Sequence, residues 1–135
     1  MRVIDASVLA AFIRKEPGWE KLAEHVKMCV TIDLALKEVL NTILKDYSLR
    51  RSINRDIALK LQEILFSMIG VNIFIEPENK YLSKGFEIAL KYNLTIYDAL
   101  YIALAAEKKL PLVTLDEKQA ETARALGVEV IIPFT

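Results

Sequence analysis

The chain begins Met1-Arg2-Val3-Ile4-Asp5 and continues directly into Ala6-Ser7-Val8-Leu9-Ala10-Ala11-Phe12-Ile13. The first five residues predict a short buried strand that ends on a carboxylate, and residues 6–13 predict a helix. A strand that runs straight into a helix opens a parallel α/β unit. In such sheets ligands bind beyond the carboxyl ends of the strands. We therefore expect Asp5 at the functional edge of the central strand, although a lone Asp there is also a typical helix N-cap.

Length and composition predict a single domain over residues 1–135, large enough to need no disulfide or structural metal. Cys29 is the only cysteine, which predicts a buried thiol and a reduced, cytoplasmic setting. No signal peptide or membrane span is apparent. His25 is the only histidine and is expected at the surface. Histidine-pair acid–base chemistry and most transition-metal sites are therefore excluded.

The balance of charges and the distribution of glycines each argue against one class of binding function. Lysine plus arginine equals aspartate plus glutamate at 18 each, which argues against nucleic-acid binding through bulk positive charge. An acidic site with a basic rim remains compatible with that balance. The four glycines lie far apart in the sequence, so no glycine-rich phosphate loop is present.

Beyond residue 13, predicted helices and strands alternate to the end of the chain. This alternation predicts a parallel sheet covered by helices on both faces. Further strands are expected at residues 29–32, 71–75, 110–115 and 128–132. Helices are expected from Trp19 to Val26, over 34–49 with Asp33 as its cap, from Ser52 or Asn54 to Gly70, over 81–92, from Thr95 into an apolar run, and after Asp116. Core stripes are expected at Leu36, Leu40, Ile43 and Tyr47, at Ile57, Leu61, Ile64, Leu65 and Met68, and at Leu82, Phe86, Ala89 and Leu90.

Four acids occupy positions that this topology can bring together. Asp5 and Asp116 end strands, Glu38 follows the second strand, and Asp98 lies in the first turn of the sixth helix. Each has a structural alternative: an N-cap for Asp5 and Asp116, a solvated glutamate for Glu38, and a capping box with Thr95 for Asp98. The alternative is weakest for Asp98, because its helix is almost wholly apolar and a buried carboxylate is costly unless it is paired.

If these acids converge, their charges must be compensated. Two carboxylates 4 Å apart repel by roughly 4 kcal/mol at an effective dielectric of 20. Such a cluster needs protons or cations, and all-oxygen ligands select Mg²⁺ or Mn²⁺. An ion held in this way suits phosphodiester hydrolysis, because it lowers the pKa of a bound water and offsets charge on the phosphate.

Other polar residues are candidates for supporting roles. Ser7 and Thr114 each lie two residues from an acid at the same edge, and Asn41 lies one turn after Glu38. All three have an ordinary structural alternative in local hydrogen bonds. A basic rim for a polyanionic substrate is predicted from cations that also suit solvated helix ends, namely Arg14, Lys45, Arg50 and Arg51.

The acid-bearing blocks, taken together, resemble the PIN domain, and most closely the VapC-type toxins. The blocks are Val3-Ile4-Asp5-Ala6-Ser7-Val8-Leu9, Glu38 with Asn41, Thr95-Ile96-Tyr97-Asp98-Ala99-Leu100-Tyr101, and Val113-Thr114-Leu115-Asp116. The resemblance spans the chain and implies a three-layer α/β/α fold with strand order 3-2-1-4-5. It also implies a Mg²⁺- or Mn²⁺-dependent endoribonuclease that cuts single-stranded RNA regions. Asp5, Glu38, Asp98 and Asp116 would be its metal-binding acids, supported by Ser7 and Thr114.

The same resemblance implies partners. VapC-type toxins are typically homodimers and are silenced by a VapB-type antitoxin that fills the acidic groove, often with a basic side chain. One position departs from some relatives, which carry a further acid just after the last block. Here Lys118 and Gln119 follow, with only Glu117 as a nearby acid, which puts a second metal position in doubt but not the first.

Three other functions are alternatives to a ribonuclease for a chain with this pattern of acids. A phosphatase of the haloacid-dehalogenase type needs an acid at position 7, which is Ser7. A response-regulator receiver needs an Asp at the end of the third strand, where this chain has Glu76-Pro77. It also needs a Lys after a late strand, and no lysine of this chain is suitably placed. The third alternative is a catalytically weak PIN-like module that binds RNA or protein, against which the presence of all four acids argues.

Overall fold

The computed structural model describes residues 1–134, which form five strands and seven α-helices. The strands are β1 (Arg2–Ile4), β2 (Cys29–Ile32), β3 (Ile73–Glu76), β4 (Leu112–Val113) and β5 (Val130–Ile131). The helices are α1 (Ala6–Ile13), α2 (Ala23–Val26), α3 (Leu34–Ser48), α4 (Arg55–Met68), α5 (Leu82–Tyr92), α6 (Ile96–Lys108) and α7 (Glu117–Ala125). Short 3₁₀ turns at Trp19–Leu22 and Glu78–Tyr81 lead into α2 and α5. Within this described range, no helix has the length and apolar character to cross a bilayer.

All strand pairs are parallel, and the order β3-β2-β1-β4-β5 confirms the predicted topology. β1 lies at the centre, with Val3 paired to Val30 on one side and to Leu112 on the other. β4 and β5 are only two residues long, shorter than predicted. After Val113 the Thr114 N–H still bonds to the Ile131 oxygen at 3.3 Å, and Asp116 then caps the helix that follows. The carboxyl end of β1 is therefore flanked by the ends of both neighbouring strands.

Helices cover both faces of the sheet and form two cores, which confirms the three-layer architecture. Alternate residues of β1 face opposite sides: Val3 packs in the core beneath α5 and α6, and Ile4 packs in the core beneath α1, α3 and α4. Residues Ala99–Ala105 of α6 are all buried, as its apolar sequence predicted. This helix is fixed at its start by the hydroxyl of Thr95, which accepts a hydrogen bond from the Asp98 N–H.

The predicted inner faces of three surface helices are partly wrong. In α3 the buried positions include Val39, Ile43 and Asp46, whereas Tyr47 is exposed. Asp46 lies on the inner side because Arg14 and Arg50 compensate its charge. In α4 the buried residues are Leu65 and Met68, and exposed positions include Ile57 and Ile64. In α5 three of the four predicted core residues, Leu82, Phe86 and Leu90, are exposed. Ala89 packs against the core as predicted, and Gly85 and Ile88 face inward.

Two local predictions are also wrong, and a third is confirmed. His25 is buried, and its Nδ1 accepts a hydrogen bond of 2.6 Å from the Arg2 guanidinium; burial and the Arg2 charge lower the pKa of this imidazole. Asp33 precedes α3 but does not cap it with its side chain, because its carboxylate accepts from the Glu78 N–H at 2.8 Å. Cys29 is a buried thiol, as predicted, and burial raises its pKa to about 12.

Candidate active site

Four acids from four separate elements surround one cavity at the carboxyl edge of the sheet. The cavity has a volume of about 130 Å³. Its wall is formed by Asp5, Ala6, Ser7, Glu38, Asp98, Tyr101, Asp116 and Gln119. Asp5 follows the central strand, Asp116 follows β4, Glu38 lies in α3, and Asp98 lies in the first turn of α6. The topology therefore brings together side chains that are up to 111 positions apart in the sequence.

Asp5 is the most enclosed of these acids, with 3% of its surface exposed. Its Oδ1 accepts from the Ser7 hydroxyl at 2.6 Å and from the Val8 N–H at 3.1 Å. Its Oδ2 accepts from the Thr114 hydroxyl at 2.6 Å. Burial raises the pKa of Asp5 to about 6, an effect that these hydrogen bonds reduce and the charge of Asp116 increases. Asp5 is thus an N-cap of α1 and also a carboxylate whose ionised form is disfavoured.

Ser7 and Thr114 connect the first and last acidic segments. Ser7 donates to Asp5 and accepts from the backbone N–H of Leu115 at 3.2 Å. Thr114, which is fully buried, accepts from the Asp116 N–H at 3.0 Å while its hydroxyl faces Asp5. Because both hydroxyls bond across the junction between β1 and β4, they fix the position of Asp5 relative to Asp116.

Glu38 reaches the cavity from α3 and is held there by Tyr101 of α6. The phenol donates to Glu38 Oε1 at 2.5 Å. Burial raises the pKa of Glu38, the hydrogen bond from Tyr101 lowers it, and the charges of Asp98 and Glu78 raise it again. Burial and the adjacent carboxylate also keep the pKa of Tyr101 far above its usual value, so this hydroxyl stays protonated.

Asp98 and Asp116 complete the ring and lie at the starts of helices. Burial raises the pKa of Asp98, with a further contribution from the charge of Asp116. Asp116 Oδ1 caps α7 by accepting from the Gln119 N–H at 2.9 Å. The Gln119 side chain then donates to the backbone oxygen of Asp98 at 2.9 Å and faces Thr114 at 3.2 Å. Gln119 therefore links the two segments that carry Asp98 and Asp116.

The electrostatics of this ring favour a cation. Three of its carboxyls have raised pKa values because burial and neighbouring negative charge disfavour ionisation. As placed among residues 1–134, no three acids, cysteines or histidines converge closely enough to enclose an ion. The donor set consists entirely of oxygens, which is the set that Mg²⁺ and Mn²⁺ prefer. In the type of donor, the residues present therefore fit a hard divalent cation, and enclosing one requires the carboxylates to move closer together than they are placed.

Some of the predicted residues lie outside this cavity. Asn41 is exposed and shares a shallow groove on α3 with Glu38. Arg14 donates to both oxygens of Asp46, at 2.7 and 3.0 Å, and to Glu16 at 2.7 Å. Arg50 also pairs with Asp46, at 2.9 Å. Of the predicted basic rim, Arg14 and Arg50 thus lie in an ion-pair cluster at the distal end of α3.

Tyr101 and Gln119 are the wall residues that sequence reasoning missed as site residues. Tyr101 follows Asp98 by three positions, so the two share a face of α6. That spacing was a usable signal, since a tyrosine in an otherwise apolar buried helix needs a partner for its hydroxyl. Gln119 gave no comparable signal, because its role depends on how α7 packs against the start of α6.

The model of the PIN domain family matches residues 2–125 of this chain, with all four acids inside the matched region. The chain belongs to the PIN domain family. Membership decides against the haloacid-dehalogenase-type phosphatase and the response-regulator receiver.

Two curated relatives are similar to this chain in sequence, and one solved structure is similar to it in fold. It is 35% identical to "Ribonuclease VapC3" of Pyrobaculum aerophilum, covering 92% of this chain and 95% of the relative. It is 30% identical to "Exonuclease VapC9" of the same organism, and the match covers 96% of this chain and 92% of the relative. In structure it is similar to a chain of a toxin–antitoxin complex from Klebsiella pneumoniae, with a TM-score of 0.66 and 15% identity. The match covers 99% of this chain and 98% of that chain. That last similarity concerns the fold alone.

Proposed function

We propose that this PIN domain is a divalent-metal-dependent endoribonuclease that cuts single-stranded RNA and acts as the toxin of a toxin–antitoxin pair. The observation that carries the proposal is the ring of four acids around one cavity, each supplied by a different element. The names of the two curated relatives, a ribonuclease and an exonuclease of the VapC type, support a nuclease.

Asp5, Glu38, Asp98 and Asp116 would hold the ion, which we propose to be Mg²⁺ or Mn²⁺. When bound, the ion supplies an activated water at neutral pH and offsets the charge that develops on the phosphate oxygens. Without a cation, the four carboxylates would repel a phosphodiester from the cavity.

The protein's own contribution is to fix the acids in place before the substrate arrives. Ser7 and Thr114 hold the two oxygens of Asp5, and Gln119 ties the start of α6 to the start of α7. Such preorganised groups cost no rearrangement during the reaction. The cavity volume of about 130 Å³ suits a phosphate group rather than a whole nucleotide, which favours a flexible single strand that can bring its backbone to the edge.

RNA contacts outside the cavity are proposed for cations on α3 and the loop after it. Lys45 and Arg51 are exposed, about two to four turns of helix from Glu38, and suit phosphate binding. Arg14 and Arg50 share Asp46 as a partner, so their contribution to RNA binding would require part of that ion-pair cluster to open. Asn41, on the path between Glu38 and Lys45, is a candidate for a direct polar contact.

We further propose a VapB-type antitoxin as the protein partner and a homodimer as the assembled form. The acidic cavity offers a basic side chain the same charge compensation that it offers a metal ion. An arginine placed there would pair with carboxylates in the bidentate geometry that planar guanidinium favours. An inhibitor of this kind would compete with the ion as well as with RNA.

The principal test is cleavage of a circular single-stranded RNA in the presence of Mn²⁺. A circular substrate has no ends, so its linearisation requires an endonuclease and separates this activity from that of an exonuclease. We expect the wild-type protein to cut the circle and Asp98→Asn to lose at least about 100-fold in rate, since it removes a metal ligand.

Asp56→Asn is the matched control, because Asp56 is an exposed aspartate in the first turn of another helix, α4. It should cut at the wild-type rate. Undiminished cleavage by Asp98→Asn would reject this site. Binding of the circle without cleavage by the wild type, at saturating Mn²⁺, would support the alternative of a catalytically weak binding module.

A further inference from the structure

Tyr101 makes the direct link between α6 and α3 at the acidic cavity. Its ring is packed in the core and only 2% of its surface is exposed, yet its hydroxyl emerges at the cavity wall. The hydroxyl donates to Glu38 Oε1 at 2.5 Å, joining residues 63 positions apart. A buried phenol requires a hydrogen-bond partner, and here that partner is one of the four acids.

Glu38 needs such a restraint more than the other acids do. Asp5, Asp98 and Asp116 are short side chains at the ends of strands or the starts of helices, so the backbone largely fixes them. Glu38 projects from the middle of an exposed flank of α3, between Lys37 and Asn41, on a side chain with three rotatable bonds. Asp98 lies on the wall of the same cavity, and its negative charge disfavours an ionised Glu38 beside it.

We propose that Tyr101 is a positioning residue of this site: its hydroxyl retains the Glu38 carboxylate at the cavity and thereby sets the affinity for the divalent ion. The inference rests on the proposed function, since it takes the four acids as the ligands. Tyr101 acts through Glu38 and not on the substrate. Hydrogen-bond partners of metal-binding side chains commonly change metal affinity by about 10–100-fold when they are removed.

The test compares two tyrosine-to-phenylalanine variants of the full chain by calorimetric titration with Mn²⁺ alone. Tyr101→Phe removes the hydroxyl and keeps the ring. Tyr81→Phe is the matched control, because Tyr81 is also buried and donates to a carboxylate, Glu76, at 2.8 Å, but lies outside the cavity. Both variants lose one buried phenol–carboxylate hydrogen bond, so both should lose some thermal stability.

We expect Tyr101→Phe to raise the Kd for Mn²⁺ by about 10–100-fold and Tyr81→Phe to leave it within about twofold of the wild-type value. An unchanged Kd in Tyr101→Phe, beside clear binding by the wild type, would overturn the positioning role while leaving the metal site intact. Absence of Mn²⁺ binding by the folded wild type would overturn the proposed function itself. The two failures are therefore distinguishable.

A second comparison is needed if the single variant Tyr101→Phe fails to fold. In Glu38→Ala the acceptor is already gone, so adding Tyr101→Phe replaces both partners of the bond, a change that is often nearly neutral for stability. If Tyr101 acts only through Glu38, Glu38→Ala and the double variant must bind Mn²⁺ with equal affinity. Weaker binding by the double variant would show that Tyr101 acts on the site by another route and would refute the proposal.

Discussion

Asp5→Asn is expected to stabilise the ion-free protein at neutral pH, although it removes a candidate metal ligand. Burial raises the pKa of Asp5 from its ordinary value of 3.8 to about 6. A rise of this size means that ionising the buried carboxylate at pH 7 costs about 3 kcal/mol of folding free energy. An amide at the same place carries no charge and avoids this cost.

The surrounding hydrogen bonds can accommodate asparagine. The amide oxygen can keep the bonds from the Val8 N–H and the Ser7 hydroxyl, which lie at 3.1 and 2.6 Å from Oδ1 of Asp5. The amide nitrogen can donate to Thr114, whose own proton can turn towards Gln119 Oε1 at 3.2 Å. Hydrogen bonds to a neutral acceptor are weaker than those to a carboxylate, so the expected net gain is about 1–3 kcal/mol.

The effect must depend on pH in a defined direction. Because the folded-state pKa of Asp5 is raised, its contribution to stability is complete below pH 3.8 and is lost as the pH rises through about 6. Urea denaturation in EDTA should therefore give similar stabilities for the wild type and Asp5→Asn near pH 4, and a more stable variant near pH 7.5. Asp56→Asn, at an exposed position, should differ from the wild type by less than about 1 kcal/mol throughout.

Mn²⁺ supplies the complementary measurement. A ligand that binds only the folded state adds stability, so millimolar Mn²⁺ should raise the melting temperature of the wild type and have little effect on Asp5→Asn. If Asp5→Asn proves less stable than the wild type near pH 7.5 in EDTA, the ionised carboxylate is not held at a cost. The electrostatic reason for expecting a cation would then be wrong.

Three further predictions concern other parts of the structure. Arg14→Ala should cost about 2–4 kcal/mol in urea denaturation, because it leaves the buried Asp46 carboxylate with a single cationic partner; no loss would mean that the ion pair contributes nothing. Thr95→Ala and Asn54→Ala each remove a helix N-cap and should each cost about 1 kcal/mol, but only Thr95→Ala, at the start of α6, should also slow RNA cleavage. Lys45→Ala should weaken RNA binding and lower the slope of log affinity against log salt by about 1, whereas an unchanged slope would exclude a phosphate contact.

The sheet and the site edge were predictable from sequence because they depend on the order of elements. A strand that ends at Asp5 and enters a helix directly fixes the direction of β1, and alternating apolar segments make its neighbours parallel. The carboxyl ends of parallel strands then meet at one edge, which accounts for the placement of Asp116 beside Asp5. The almost wholly apolar α6 marked Asp98 as a carboxylate with no ordinary reason to be buried.

The helix faces were less predictable because apolar spacing does not identify which of two stripes meets the sheet. In α5 the larger residues, Phe86 among them, lie outside, and Gly85 faces inward, where a Cβ would come within 3.0 Å of the Leu100 side chain. Close packing of α5 on α6 thus leaves no room for a side chain at position 85. The surface position predicted for His25 was also wrong. Its polar neighbours in the sequence suggested exposure, whereas a hydrogen bond from Arg2, distant in sequence, compensates the burial of its ring.

Mn²⁺-soaked crystals with anomalous diffraction data test the central claim most directly, because they locate the ion and its ligands independently of activity. We expect an anomalous peak in the cavity at the end of β1, within about 2.0–2.3 Å of carboxylate oxygens from Asp5 and at least one of the other three acids. A well-ordered crystal in millimolar Mn²⁺ with no peak in that cavity, or with peaks only at other surface acids, would contradict the metal-dependent nuclease.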